Sequence, residues 1–230
     1  KYLLGSLEVD GQYLPKFTDF QSFMTKKFSK KTKVDVLLSS AANSYLILPE
    51  TQTTEFGTIN NSYRMTVAFE GREELRYNTH QFGTTLTHSF RDNFISTLTL
   101  SKILSTEYEN YEVEGGYLLC DVNNDPNSNR FNECQSLLGE GKNYNYGRNK
   151  LKADITAIDQ RNEIVIGEHL VEFGFSWDKE VFDDRLKEYS FTDSADFSKI
   201  TRSVDNELHL DSHKLTAFAQ YTFNSVDDRH

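Results

Sequence analysis

Cysteine, proline, methionine and tryptophan are all scarce in this chain: 2, 3, 2 and 1 among 230 residues, with 12 glycines. Long apolar runs are missing altogether. The longest are stubs such as Val36-Leu37-Leu38 and Tyr45-Leu46-Ile47-Leu48, far short of the ~18 to 20 residues a transmembrane helix needs. A helical membrane protein is excluded. Positive charge is also in deficit, with 25 Lys and Arg against 35 Asp and Glu. Phosphate neutralisation needs clustered basic residues, so nucleic acid is not an expected partner. Disorder does not fit either, because 17 Phe and 12 Tyr are too many for a chain that fails to collapse. What remains is a folded, acidic, aromatic-rich chain, either soluble or a membrane β-barrel. Its ends, Lys1-Tyr2-Leu3-Leu4-Gly5 and Ser225 to His230, read as cut rather than natural, so a piece of something longer is expected.

Helical periodicity is hard to find and alternation is easy. Phe82, Leu86 and Phe90 share a parity with Thr84 and His88; Gln81, Gly83, Thr85, Thr87 and Ser89 fill the other. Leu151, Ala153, Ile155 and Ala157 alternate with Lys150, Lys152, Asp154 and Thr156. Leu215, Ala217, Ala219, Tyr221 and Phe223 oppose Lys214, Thr216, Gln220 and Thr222. Period two places one set on each side of a strand, and Thr, Phe, Tyr and Val suit a pleated surface. The chain is expected to be antiparallel all-β.

Seven long strands are predicted, near 13–28, 33–47, 75–90, 94–108, 149–159, 164–182 and 207–224, with an extra hairpin arm at 55–72. Short connections at 29–32, 91–93 and 159–162 alternate with long ones at 48–74, 109–148 and 183–206. Short turns at one end and long loops at the other are the habit of outer-membrane barrels. Phe28, Phe90, Phe94 and Phe223, beside the short turns, would join the inner aromatic girdle. A soluble sandwich or lipocalin-like barrel also alternates. Strand length and the two loop sizes favour the transmembrane barrel with long extracellular loops.

Cys120 and Cys134 bracket a polar stretch, and in an exported protein they are expected to form a disulfide. Inside the bracket, oxygens fall at Asp121, Asn123, Asp125, Asn127 and Glu133. The spacing approaches a calcium loop, so Ca2+ is a candidate cofactor. Pro126 stands where a sharp-turn Gly is usual and Glu133 comes one residue late; a plain solvated loop is the alternative.

The six histidines are scattered, no G-x-S-x-G elbow or P-loop exists, and no pair of carboxylates stands out. Enzymatic chemistry is therefore not expected. Tyr108, Tyr111, Tyr117, Tyr144 and Tyr146 lie among Glu107, Glu109, Glu112 and Glu114. Aromatic rings with polar tips suit ligand recognition; equally, they can stitch long hairpins together.

Several stretches, taken in order, carry a resemblance. They are Tyr2 to Leu7, Gly11-Gln12-Tyr13-Leu14-Pro15-Lys16-Phe17-Thr18-Asp19-Phe20-Gln21, Leu48-Pro49-Glu50, Thr54 to Thr58, Phe69-Glu70-Gly71, Gly147 to Leu151 and Glu188 to Ala195. The chain resembles the barrel of TonB-dependent outer-membrane receptors, in the branch with an N-terminal carboxypeptidase-regulatory-like domain. The resemblance implies a barrel of about 22 strands around a plug, of which this chain would be one segment of a single domain. It implies location in the outer membrane of a Gram-negative bacterium, and energised import of a substrate captured by extracellular loops. Implied partners are the TonB complex, through parts outside this chain, outer-membrane lipid, and a surface lipoprotein or other outer-membrane subunits. A barrel subunit of a secretion or surface-protein assembly is the first alternative. A self-contained soluble ligand-binding barrel is the second.

Overall fold

A computed structural model describes residues 12–58, 61–194 and 197–223. The opening stretch Tyr2 to Leu7 and the expected strand end at 224 lie outside them. The described residues form one antiparallel sheet of eight strands and no helix. The strands are β1 (Gln12–Lys27), β2 (Thr32–Leu48), β3 (Gln52–Gly57), β4 (Ser62–Arg91), β5 (Phe94–Val122), β6 (Cys134–Ile166), β7 (His169–Ser194) and β8 (Phe197–Phe223). The sheet runs β1-β2-β4-β5-β6-β7-β8, with β3 paired to the far end of β4. It is a meander whose ends do not meet.

The all-β expectation holds, and the strands are longer than alternation suggested. The expected long loops are mostly continuations of the hairpins. β4 reaches from Arg91 back to Ser62, absorbing most of the arm foreseen at 55–72. β5 and β6 pair from Phe94↔Ile164 up to Val122↔Cys134, leaving only 123–133 as a loop. At ~3.3 Å per residue, the 29 residues of β5 span about 95 Å.

One expected turn is corrected. Asp159-Gln160-Arg161-Asn162 lies within β6, and the chain reverses at Gly167-Glu168. The polar run mimics a turn, but cross-strand partners hold it. Gln160 donates to Ser96 at 2.6 Å, and Arg161 pairs with Glu172. Gly167, at φ 61°, supplies the left-handed residue a tight hairpin requires.

Register fixes two faces. Paired residues point the same way, so the even-numbered residues of β1, β2, β4, β5 and β6 share a front face with the odd-numbered residues of β3, β7 and β8. The back face carries the rest. Near the short turns the front is greasy. One row reads Met24, Val36, Thr84, Leu100, Ile158, Trp177 and Leu215 across seven strands. The back at that level is hydroxyl-rich, with Thr85 bonded to Thr99 and Thr79 to Ser105. β6 departs from this trend: Ala153, Ile155 and Ala157 face the back, while Asp154, Gln160 and Asn162 face the front.

No second layer covers either face among the described residues. Cys120 and Val122 are the only buried hydrophobic residues there, while Leu100 is 39% exposed and Leu215 78%. Burial of apolar area drives folding, so this sheet needs an external cover for its front face.

Candidate functional site

The polarity of the front face changes along the strands. On β5 the front residues run Phe94, Ser96, Leu98, Leu100, Lys102 and Leu104, then Asn110, Glu112 and Glu114. On β4 they run Phe90, Leu86 and Phe82, then Arg76, Glu74 and Arg72. The back face changes the other way, with Thr85 and Thr87 giving way to Leu75, Phe69 and Val67. The crossover falls near Leu104 on β5 and Asn78 on β4, which share neighbouring rows. Below it the front is largely apolar, its few charges near the upper edge paired as Lys102–Asp154 and Lys179–Asp211; above it the front is charged.

The lower border of the apolar band is aromatic. Phe90 and Phe94 stack at 5.2 Å, and His88 meets Phe90 edge-on at 4.6 Å. His169 stacks on Phe223 and Tyr221 at 5.1 and 5.6 Å. The three described phenylalanines other than Phe28 that were expected beside the short turns are thus joined by two histidines and Tyr221. Nearer the upper border, Trp177 stacks on His213 at 5.7 Å, and Lys102 is paired with Asp154.

Above the crossover, charge separates by face. Among the described residues, the back-face rows from Ile103 to Tyr111 carry no Lys or Arg, while Glu73, Glu107, Glu109, Asp184 and Glu188 all lie there. Asn149 ties two of these together, donating to Glu109 at 3.1 Å and to Glu188 at 2.6 Å. The β6–β7 ladder is interrupted here, and the Asn149 side-chain Oδ1 accepts the Lys187 backbone amide at 3.2 Å instead. Desolvation, then the neighbouring Glu109, raises the pKa of Glu73. Desolvation and Glu188 likewise raise that of Tyr111. A chain of rings runs beside the acids, Tyr13 on Tyr45 at 5.7 Å and Tyr45 against Tyr77 at 5.9 Å.

The five candidate tyrosines divide between the faces. Tyr111 and Tyr117 point back, where their rings lie over Gly147 and Gly141 of β6. Phe69 covers Gly115 in the same way. An aromatic ring laid across a neighbouring glycine fills the space a side chain would occupy, so these rings knit the hairpins while exposing an edge to the back. Tyr108, Tyr144 and Tyr146 point forward. Tyr146 stacks on Tyr189 at 4.8 Å, and Tyr144 meets the same ring at 5.8 Å.

Glu112 centres that forward cluster. It accepts from the Tyr144 hydroxyl at 2.9 Å and from Arg148 at 3.1 Å, and these two bonds lower its pKa. Burial, followed by the bond to Glu112, raises the pKa of Tyr144. Arg148 lies over the Tyr146 ring at 4.6 Å, and Lys150 over Tyr108 at 5.1 Å. A groove of about 550 Å³ runs past Arg72, Glu112, Tyr144 and Arg148. Tyr189, Arg148 and Glu73 were not singled out from the sequence. Their roles depend on partners about 40 residues away in the chain (Tyr189 with Tyr146, Arg148 with Glu112, Glu73 with Tyr111 and Glu109), which no local spacing reveals.

At the far tip, Cys120 and Cys134 are joined as a disulfide with Cα atoms 5.6 Å apart. The 123–133 loop is closed by its own turns. Asn123 accepts the Asp125 amide, Asp125 accepts the Asn127 amide, and the Asn123 side chain donates to Ser128. Arg64 clamps the loop from β4, donating to both the carbonyl and the side chain of Asn132 at 2.9 Å. Asn132 is the one non-glycine residue at positive φ among those described. Asp121 lies on β5 opposite Ser136, and Glu133 accepts the Asn123 amide through its carbonyl. Among the described residues no three His, Cys, Asp or Glu side chains gather as a metal site. No family model matches the chain, and no curated protein matches it.

Proposed function

We propose that this chain is a segment of the barrel wall of a TonB-dependent outer-membrane receptor, with the front face against lipid and the back face toward the lumen. One observation carries the reading: an apolar front band of limited height, bounded below by aromatic rings and above by charge. From Phe94 to Leu104 the band is 11 residues long, since 104 − 94 + 1 = 11. A transmembrane β-strand takes ~9 to 11 residues at ~45° tilt. Above the band the front turns polar, as a wall leaving the membrane must, and the lumenal side no longer needs to line hydrated space alone.

In this reading the short turns are periplasmic and the disulfide tip is extracellular. The acidic, tyrosine-bearing back face, with Tyr111 and Tyr117 showing their edges, is the substrate-facing surface. Energy for import comes through TonB, by contacts made elsewhere in the protein. The reading is tested in cells producing the full-length protein that contains this segment. Detergent-dependent extraction from the outer-membrane fraction and loss of uptake on TonB deletion are expected. Extraction by salt alone would overturn it.

A second reading, a barrel subunit of a secretion or surface-protein assembly, draws on the height of the sheet. β4 to β7 continue well past the apolar band and offer a wide charged surface suited to another subunit or a lipoprotein. Function that persists without TonB would favour it.

A further inference from the structure

We infer, on the strength of the membrane reading above, that the front of β6 within the apolar band is covered by a second copy of this protein and not by lipid. A polar stripe runs down the band there. At successive rows β7 presents Val171, Phe173, Phe175 and Trp177 to the front, while β6 presents Ile164, Asn162, Gln160 and Ile158. Thr156 and Asp154 follow on the same face of β6, and Ser96 and Lys102 flank the stripe on β5.

The stripe satisfies itself only in part. Gln160 donates through Nε2 to Ser96 at 2.6 Å and to Asn162 Oδ1 at 3.2 Å. That uses both amide hydrogens of Gln160 and leaves Gln160 Oε1 and Asn162 Nδ2 without a hydrogen-bond partner among the described residues. Higher up, Lys102 donates to Thr156 at 2.9 Å and pairs with Asp154. Asn162 and Gln160 share rows with Ser96 and Leu98, two and four residues above Phe94. At ~3.3 Å per residue and ~40° tilt they lie about 5 and 10 Å inside the band. An open amide edge is cheap in water and costly in hydrocarbon.

Self-complementarity identifies the occupant. Two copies in one membrane share an orientation, so a two-fold axis along the membrane normal closes the pair and each depth meets itself. A stripe of one charge sign would repel its own copy. This stripe holds both halves of each interaction: an open amide acceptor beside an open amide donor, and Lys102 beside Asp154. Across the axis, Asn162 of each copy would donate to Gln160 of the other, so the two bonds form together. Polar groups of this kind hold transmembrane elements together where burial of apolar surface gives no driving force. A strip three strands wide over the height of the band measures about 14 by 35 Å, or roughly 500 Å² from each copy. Two copies then bury about 1,000 Å², where specific interfaces begin. Leu100, at the rim, stays in a dry setting with or without the second copy. Lys152 and Lys150 continue the face above the band, in water, where salt screens like charges on the two copies.

The test uses the full-length protein in its native membrane, with one cysteine introduced, the Cys120–Cys134 bond intact, and the unsubstituted protein as blank. Ile158→Cys, on the stripe but clear of the amides, is expected to give a disulfide-linked dimer on mild oxidation. Val36→Cys lies in the same row on β2, three strands and about 14 Å away, and should give less than about a tenth of that yield. Adding Gln160→Leu and Asn162→Leu should raise the dimer dissociation constant in micelles at least about tenfold, the worth of two amide hydrogen bonds. The leucines suit lipid, so the folded-band gel shift should persist. Equal dimer yields from Ile158→Cys and Val36→Cys would overturn the proposal. So would a cross-link to a product of any other mass, which would make the stripe the seat of a different protein. A dimer that the leucine pair leaves within twofold of its original strength also overturns it. Fractionation separates the two levels: a protein absent from the membrane ends both readings, while a membrane-resident monomer ends this one alone.

Discussion

Arginine at Leu100 is the sharpest test of the membrane assignment. Leu100 lies on the front face, six residues above Phe94 and four below Leu104, so at ~40° tilt it is about 15 Å above the lower border and near mid-band. On the lipid face of a barrel at that depth, Arg costs about 2–4 kcal/mol. That is roughly 30-fold to several hundredfold in the folding equilibrium. Ser101 is the neighbour with opposite orientation. It faces the back, opposite Gly83 and Ala157, where there is room for a long side chain. Ser101→Arg should stay within about 0.5 kcal/mol of wild type, as surface substitutions do. A soluble sheet predicts no such contrast, because Leu100 is already 39% exposed and an arginine there would simply join the solvent. The assay is reversible denaturation of the full-length barrel in lipid vesicles, read by a folded-band gel shift. Equal stability of the two variants, or a larger loss for Ser101→Arg, refutes the orientation derived from the register.

Three further outcomes follow from local geometry. Reducing the Cys120–Cys134 bond, or replacing both residues by Ser, frees a loop of about 15 residues and should lower the stability of the upper hairpin by about 3 kcal/mol in the chain-entropy model, visible as faster proteolysis between β5 and β6 with the apolar band still protected. Gly71→Ala should cost about 2 kcal/mol, because Gly71 sits at φ 108° and an added Cβ would strike the Glu112 carbonyl; Gly139→Ala, which meets nothing within 4 Å, is the control in a thermal melt. Glu112 has a lowered pKa through its bonds from Tyr144 and Arg148, so its contribution is present above the ordinary carboxylate value of about 4.3 and is lost as pH falls through the lower folded value; Tyr144→Phe should move that acid-side loss toward higher pH in tyrosine-sensitive near-UV dichroism, and an unchanged profile would remove Tyr144 from the cluster.

Alternation revealed the strands wherever each face kept one character. Thr84, Leu86, His88 and Phe90 against Thr85, Thr87 and Ser89 is such a case, and β4 there pairs as expected. The pattern failed where polarity changes face. Above Asn78 the front of β4 turns charged and its back mixes Leu75 and Phe69 with Glu73, so 48–74 reads as a long connection carrying a separate hairpin arm although Ser62 to Glu74 pair continuously with β5. The same cause hid the Asp159 to Asn162 segment of β6, whose partners lie on β5 and β7. The disulfide was legible because two cysteines admit one pairing. The split of the tyrosines was not, since residue parity assigns Tyr108 and Tyr111 to opposite faces only once the register is known, and register is set by partners rather than by the strand itself.

In the membrane reading proposed above, the crossover also sets which end of the molecule meets water. A one-layer sheet with an apolar front along its whole length would aggregate, and one with a charged front throughout could not lie against lipid. Here the two regimes follow each other on the same strands, and they change at one level across β4, β5 and β7. Phe82 and Arg76, Leu104 and Asn110, Trp177 and Arg185 all straddle it. Independent strands have no local reason to switch together, because each strand's propensity ignores its neighbours' register. In the proposed membrane reading a common external boundary supplies that reason, crossing β4, β5 and β7 each at its own residue. The short turns lie on the apolar side of that boundary and the disulfide tip on the charged side, so within the proposed membrane reading the orientation of the chain follows from the register alone.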